Sequence, residues 1–310
     1  MSNIEVTHRI EVSASAESVH RIVADVGLWP LYFPPTVRAM RVSGDDTDER
    51  IRIWAVANGR LRTWESRRRI TDGRRVRFEQ IQPSAPVAVL GGEWSVEERG
   101  SGRCAVVLDH YYRAVDDDPV QLGLIAQAVE HNSVSELAHL KRAAERGDAE
   151  KELLLDFEDT EIIAGSLEDT YDFLYDVGKW PDRVPHVARV ELREDTPGLQ
   201  HMEMDTISPD GSVHTTVSGR VCVPSRRIVY KQTRLPPVLQ AHNGEWTFES
   251  TQEGLVRVTS RHQVMLDPDG IAALPEPPAS LDAARAAVRH ALGSNSRATL
   301  ARAREFVESP

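Results

Sequence analysis

Cysteine is nearly absent: Cys104 and Cys222 are the two in 310 residues, and they form no metal-ligand or redox motif. They read as small buried hydrophobes of a reducing compartment. Long apolar runs are missing as well. No stretch approaches the ~18 uninterrupted apolar residues of a membrane span, and the opening MSNIEVTHRIEV has no signal-peptide profile. Cytoplasm is therefore the expected location, with no membrane role. Positive charge is in deficit, 37 Lys and Arg against 48 Asp and Glu, for a net charge of -11. That balance argues against nucleic acid, whose binders gain affinity by neutralising phosphates. No Gly-rich phosphate loop, nucleotide fingerprint or Ser-His-Asp set is apparent. His110, His131, His186, His214 and His242 have no spacing that defines a zinc site, so neither metal nor cofactor is expected.

What is present is present twice. Asp25-Val26-Gly27-Leu28-Trp29-Pro30 returns as Asp176-Val177-Gly178-Lys179-Trp180-Pro181, and Gly92-Glu93-Trp94 returns as Gly244-Glu245-Trp246. Ser66-Arg67-Arg68 is echoed by Ser218-Gly219-Arg220, and the step of 152 residues from Arg68 to Arg220 equals that from Trp94 to Trp246. A constant offset across separate motifs marks a duplication. Two domains are expected, 1–148 and 149–310, joined at the charged junction Arg146-Gly-Asp-Ala-Glu-Lys-Glu.

Each half opens with an alternating segment, Glu5 to Val12 and Leu153 to Ile163, followed by a plausible helix N-cap at Ser15 or Ser166. In the first half, strand-like runs follow at Ala39 to Val42, Arg50 to Ala57, Arg60 to Ile70, Val76 to Ile81, Glu93 to Glu98 and Cys104 to Ala114. Turns at Asn58-Gly59, Asp72-Gly73 and Arg99 to Gly102, with Asp210-Gly211 and Glu253-Gly254 in the second half, make the series antiparallel. A long helix closes each half, roughly Pro119 to Arg146 and Ser280 to Glu308. Leu122, Ile125, Val129, Leu137 and Leu140 form most of an apolar stripe on the first. The Pro-rich piece Pro268 to Pro278 reads as a loop. The fold class is α+β, one long helix against one curved antiparallel sheet, twice.

That order resembles the helix-grip fold of the START and Bet v1-like superfamily, and more closely the didomain aromatase/cyclases of bacterial type II polyketide synthases. The residues that carry the resemblance are Trp29-Pro30, Trp64-Glu65-Ser66-Arg67-Arg68, Trp94 and Asn132, with Trp180-Pro181, Ser218-Gly219-Arg220 and Trp246 in the second half. The resemblance implies a sheet wrapped around its closing helix with an interior cavity. It also implies aldol cyclisation and dehydration of a ketoreduced poly-β-ketone, delivered by an acyl carrier protein among the other synthase components. At a net charge of -11, an acidic carrier protein is repelled unless a local basic patch receives it.

Alternation places Trp64, Ser66 and Arg68 on one strand face, opposite Glu65, Arg67 and Arg69. The face with the indole and hydroxyl is the candidate cavity wall. An enclosed Arg68 then needs a carboxylate, a water or a substrate carbonyl as partner. Arg68 and Arg220 are the candidate donors to the carbonyl under attack, with Ser66 and Ser218 for proton transfer. Trp29, Trp64, Trp94, Asn132, Trp180 and Trp246 are candidate binding residues. Asn132 is expected on the helix surface facing the sheet, with its counterpart near Gly293 and Asn295 displaced from register. Around Arg220 the valines Val213, Val217 and Val221 occupy the opposite face, which is expected to be covered by the partner domain or a second subunit. Two other readings remain: a non-catalytic carrier of a hydrophobic ligand such as a lipid or quinone, and an adaptor without a cavity.

Overall fold

A computed structural model describes residues 2–57, 59–147, 149–207 and 211–309. Asn58, Asp210 and Asp148, on which two expected turns and the expected boundary fall, lie outside the described residues. The contacts divide the chain into two compact units, Met1–Trp54 with Thr63–Glu150 and Ala55–Arg62 with Lys151–Pro310.

The first half of the chain runs β1 (Ile4–Val12), α1 (Ala16–Ala24), α2 (Trp29–Tyr32), β2 (Thr36–Gly44), β3 (Asp48–Ala57), β4 (Arg60–Thr71), β5 (Arg75–Ile81), β6 (Val87–Glu98), β7 (Cys104–Ala114) and α3 (Pro119–Arg146). The second repeats the plan with α4 (Ala149–Leu153), β8 (Leu154–Ile163), α5 (Leu167–Tyr175), α6 (Trp180–Arg183), β9 (Val187–Thr196), β10 (Leu199–Ile207), β11 (Val213–Val223), β12 (Arg227–Arg234), β13 (Leu239–Ser250), β14 (Val256–Leu266), α7 (Pro268–Ala272) and α8 (Leu281–Glu308). Each sheet has seven strands in the same order, β1-β7-β6-β5-β4-β3-β2 and β8-β14-β13-β12-β11-β10-β9. No helix among the described residues is long and apolar enough to cross a membrane.

Local chemistry explains the elements. Ser15 accepts from the Ser18 amide and Ser166 from the Asp169 amide, capping α1 and α5 as their sequences predict. Asp72 and Gly73 both have positive φ, the requirement of the tight hairpin turn joining β4 and β5. The Trp-Pro step begins a further turn, α2 or α6, because proline lacks an N–H and suits a first helical turn. One stretch differs from expectation. Within the expected Pro-rich loop, Pro268–Ala272 forms α7, capped by Asp267.

Both cores lie where the sheet meets its helices. Val19, Ile22, Leu108, Leu137 and Leu140 centre the first; Phe173, Leu174, Ile228, Val258 and Leu300 centre the second. Each such side chain stabilises the fold by about 1.5–3 kcal/mol. The repeated Gly-Glu-Trp motif also has a packing reason. Gly92 lies opposite Phe78 and Gly244 opposite Tyr230 in register. A Cβ at Gly92 would meet the Asp109 carbonyl oxygen at 2.0 Å, and one at Gly244 would meet the Tyr230 ring at 2.1 Å. Only glycine leaves room there.

Candidate active site

The Asp-Val-Gly-x-Trp-Pro motif and the distant arginine form one unit. Asp25 accepts from the Gly27 amide at 2.9 Å and turns the chain after α1. Trp29 then donates its indole N–H back to the Ile22 carbonyl at 3.2 Å; in the second domain Trp180 does the same to Phe173 at 3.1 Å. These contacts stand each indole beneath a guanidinium, 5.2 Å from Arg68 and 5.6 Å from Arg220. Arg68 Nη2 donates to the carbonyls of Val23 at 2.9 Å and Ala24 at 3.0 Å. Arg220 Nη2 donates to Leu174 at 2.6 Å. The last carbonyls of a helix have no partner within it and carry the negative end of its dipole. Each arginine therefore caps the short helix from beneath, 44 to 46 residues away in sequence.

Both cations are enclosed, Arg68 at 1% exposure and Arg220 at 2%. Their remaining partners differ. Arg68 Nη1 lies 3.3 Å from the Glu49 carboxylate, itself buried. Burial nonetheless pushes Arg68 down to about 10, against the raising effect of Glu49. Arg68 Nε and Nη1 are buried without a hydrogen-bond acceptor among the described residues. In the second domain Gln200 stands in the corresponding place. Arg220 Nη1 donates to its Oε1 at 2.6 Å, while Gln200 Nε2 passes the interaction to Glu194 at 2.9 Å. Burial lowers the Arg220 pKa too, with no carboxylate in direct contact among the described residues.

A second buried polar group recurs between sheet and closing helix. Ser133 Oγ on α3 is 3.3 Å from His110 Nδ1 on β7, and Ser296 Oγ on α8 is 2.7 Å from His262 Nε2 on β14. The second domain extends this pair into a chain. His242 Nε2 is 2.9 Å from His262 Nδ1, and His242 Nδ1 is 3.0 Å from Gln232 Oε1. Burial pushes His110 and His262 down to about 4 and His242 to about 3, so all three imidazoles are neutral at pH 7. One turn beyond Ser133, the half-buried Glu136 is pushed up to about 7 by burial.

A family described as "Polyketide cyclase / dehydrase and lipid transport" matches residues 3–145, and a second family of the same description matches residues 163–286. The granaticin polyketide synthase bifunctional cyclase/dehydratase of Streptomyces violaceoruber is 41% identical over 303 residues, covering 97% of this chain and 93% of that protein. The chain belongs to the polyketide cyclase/dehydrase family. Another relative of this cyclase/dehydrase is the actinorhodin polyketide synthase bifunctional cyclase/dehydratase of Streptomyces coelicolor, 40% identical over 306 residues, covering 95% of this chain and 94% of that one. Among solved structures, the di-domain ARO/CYC BexL from the BE-7585A pathway superposes with a TM-score of 0.89 at 45% identity over 99% of each chain. The di-domain ARO/CYC StfQ from the steffimycin pathway gives 0.83 at 34% identity over 98% of each.

In this cyclase/dehydrase the expected residues fall as follows. Ser66 and Arg68 are buried with Trp64 half-buried on the same face, while Arg67 and Arg69 are exposed. Ser218 is buried beside Arg220. Trp94, Trp180 and Trp246 sit within the cores, and Trp29 packs partly buried against the first. Asn132 does not face the sheet: it is exposed, and the inward position belongs to Ser133. The helical period allows either step from Val129, and the packing selects the four-residue one. The counterpart of Asn132 is Asn295, also exposed and next to Ser296, because α7 and its loop lengthen the second copy before α8. Val221 is buried and Val217 half-buried, but Val213 is 58% exposed, so the expected cover of the valine face does not reach it. The repeated Asn-Ser dipeptide was the sequence signal for Ser133 and Ser296; nothing in the local pattern pointed to Glu49 or Gln200.

Proposed function

We propose that the protein closes and dehydrates the first ring of a ketoreduced poly-β-ketone presented by an acyl carrier protein of a type II polyketide synthase, in the cytoplasm. The observation that carries the reading is Arg68, a guanidinium at 1% exposure whose Nε has no hydrogen-bond acceptor among the described residues and whose Nη1 has the Glu49 carboxylate at 3.3 Å but no hydrogen bond. A cation enclosed at such cost is suited to an oxygen on which negative charge develops.

A methylene flanked by two carbonyls enolises with modest help, so the harder task is to bring one methylene to one distant ketone. Arg68 donates to that ketone as it becomes an alkoxide, a role worth about 3–4 kcal/mol per donor lost. Ser66 holds the water or substrate hydroxyl through which the proton moves. Trp29, Trp64 and Trp94 supply flat apolar contacts for the ring. In the second domain Arg220 and Ser218, with Trp180 and Trp246, bind and orient the chain.

The test is reconstitution with a minimal synthase and a ketoreductase. Wild-type protein yields the product with an aromatised first ring, Arg68→Ala loses it, and Arg220→Ala reduces it less. Unchanged product from both variants would remove the arginines from the mechanism. The family description also names lipid transport, so a hydrophobic-ligand carrier is the second reading. It requires a wild-type protein that binds lipid and leaves the chain uncyclised.

A further inference from the structure

The outward face of β3, β4 and β5 carries Arg50, Arg52, Arg67, Arg69, Arg75 and Arg77, all exposed, against three carboxylates, Asp48, Glu65 and Glu79. This is a local positive excess on a chain of net charge -11. Asp48 is bound by Arg67 and Arg69, and Glu65 by Arg50 and Arg52, so each of these carboxylates is shared between two guanidiniums. Arg69 and Arg77 lie directly opposite one another in the β4–β5 register. Arg69 is paired with Asp48 and Arg77 faces Glu93 of β6 on its other side, so an acidic partner would compete with these carboxylates for the two guanidiniums. The second domain has lost the pattern: the corresponding positions are His201, Glu203, Gly219, Val221, Arg227 and Val229.

The arginines border a cleft. The β5–β6 ladder stops at Glu79 and Gly91, and beyond it a cleft of about 560 Å³ is lined by Arg67, Arg69 and Arg77 together with Ile81, Pro83 and Val89. Neither Ser66 nor Arg68 is among its walls. Val87 and Leu90, and Leu122 of α3, pack against a buried cluster that contains Tyr112, Ile125 and Val129. On that same first stretch of helix, Val120 and Leu124 are 69% and 55% exposed. The surface thus joins rows of arginines to a cleft of mixed lining, in which Glu79, Gln80 and Gln82 stand beside the apolar residues.

We propose that this face of the first domain is the docking surface for the acyl carrier protein. Such a carrier presents acidic helices around an arm joined through a phosphodiester, and both features are complementary to the surface. Its carboxylates meet the arginine rows, and the phosphodiester lies across Arg69 and Arg77. The outward arginines therefore act in recognition, while the inward Arg68 acts on the chain. This inference rests on the reading of the protein as a cyclase of carrier-bound chains.

The test uses the full chain, the purified phosphopantetheinylated carrier protein and two forms of substrate, a carrier-bound polyketide and a carrier-free thioester mimic. Arg69→Glu/Arg77→Glu weakens carrier binding at low salt by about tenfold or more, and wild-type affinity falls as salt is raised. Turnover of the carrier-bound chain drops in parallel, while turnover of the carrier-free mimic stays at the wild-type rate. Arg69→Ala/Arg77→Ala, which adds no new charge, gives the same pattern at smaller amplitude if the reversed pair disturbs folding. Unchanged carrier affinity and turnover in a folded variant would overturn the docking surface while leaving the cyclase reading intact. A wild-type protein that converts neither substrate would overturn the cyclase reading and this inference with it.

Discussion

The two domains share a frame and differ in what they enclose. In both, an indole and a guanidinium close the end of a short helix, and a serine on the long helix meets a histidine on the last strand. In the first, the buried cation faces Glu49 directly; in the second it faces the neutral Gln200, with Glu194 one hydrogen bond further away. The interiors diverge likewise. Phe78 and Leu90 of the first are replaced by Tyr230 and His242, and Glu136 by the buried Thr299. Parts that hold the helix in place were kept by both copies. The acid–base groups were redistributed, one half-buried carboxylate in the first domain and a neutral two-histidine chain in the second.

The sharpest way to break this comparison is at the partners of the arginines. Glu49→Leu leaves Arg68 a buried cation without a carboxylate, and should cost the first domain about 3–5 kcal/mol. Gln200→Leu removes a neutral acceptor from Arg220, and should cost the second about 1–3 kcal/mol. Hydrogen exchange read separately on β4 and β11 measures both, and equal losses would contradict the assignment of a direct counterion to one domain alone. Acidification comes next. The interior histidines have folded values of about 3 to 4, below the ordinary 6.5, so the unfolded chain takes up their protons first as pH falls. Their contribution is intact above pH 6.5 and is lost toward pH 4, at about 1.4 kcal/mol per pH unit for each group. The second domain, with two such groups against one, should unfold first in acid, and His242→Leu should bring its pH slope down to that of the first.

Smaller effects sharpen the picture. Gly92→Ala and Gly244→Ala should each cost about 1–3 kcal/mol through overpacking. Gly92 should be the worse, since its added carbon meets a backbone carbonyl, whereas at Gly244 it meets a ring that can shift. A reversed order in chemical denaturation would show that the two motifs are packed for different reasons. Smallest is the helix surface. Ser133→Ala should cost about 1 kcal/mol, and Asn132→Ala should stay within about 0.5 kcal/mol, both read from thermal unfolding. An Asn132 effect larger than that of Ser133 would place the amide, rather than the hydroxyl, against the sheet.

Much of this was legible beforehand where the signal was local. The caps at Ser15 and Ser166, the turn at Asp72 and Gly73 and the inward parity of Ser66 and Arg68 all follow from spacing within a few residues. The site was less legible. Asn132 and Ser133 differ by one helical step, and a serine does not register in an apolar stripe although it occupies the buried position between Val129 and Leu137. The copy offset also changes along the chain, because α7 lengthens the loop before α8, so counting from Arg220 misplaces the helix partners.

By itself the sequence determined that one unit was copied, where the strand series of the first half and the two closing helices run, and which side of β4 turns inward, since periodicity and motif spacing carry that information along the chain. Only the tertiary structure decided what each buried cation meets. Those partners are helix-end carbonyls about 45 residues away in sequence and, in one domain alone, a carboxylate on the neighbouring strand. A charge buried in a sheet takes whatever polar group the fold brings against it, and that choice is made by packing across the chain, which no local pattern records.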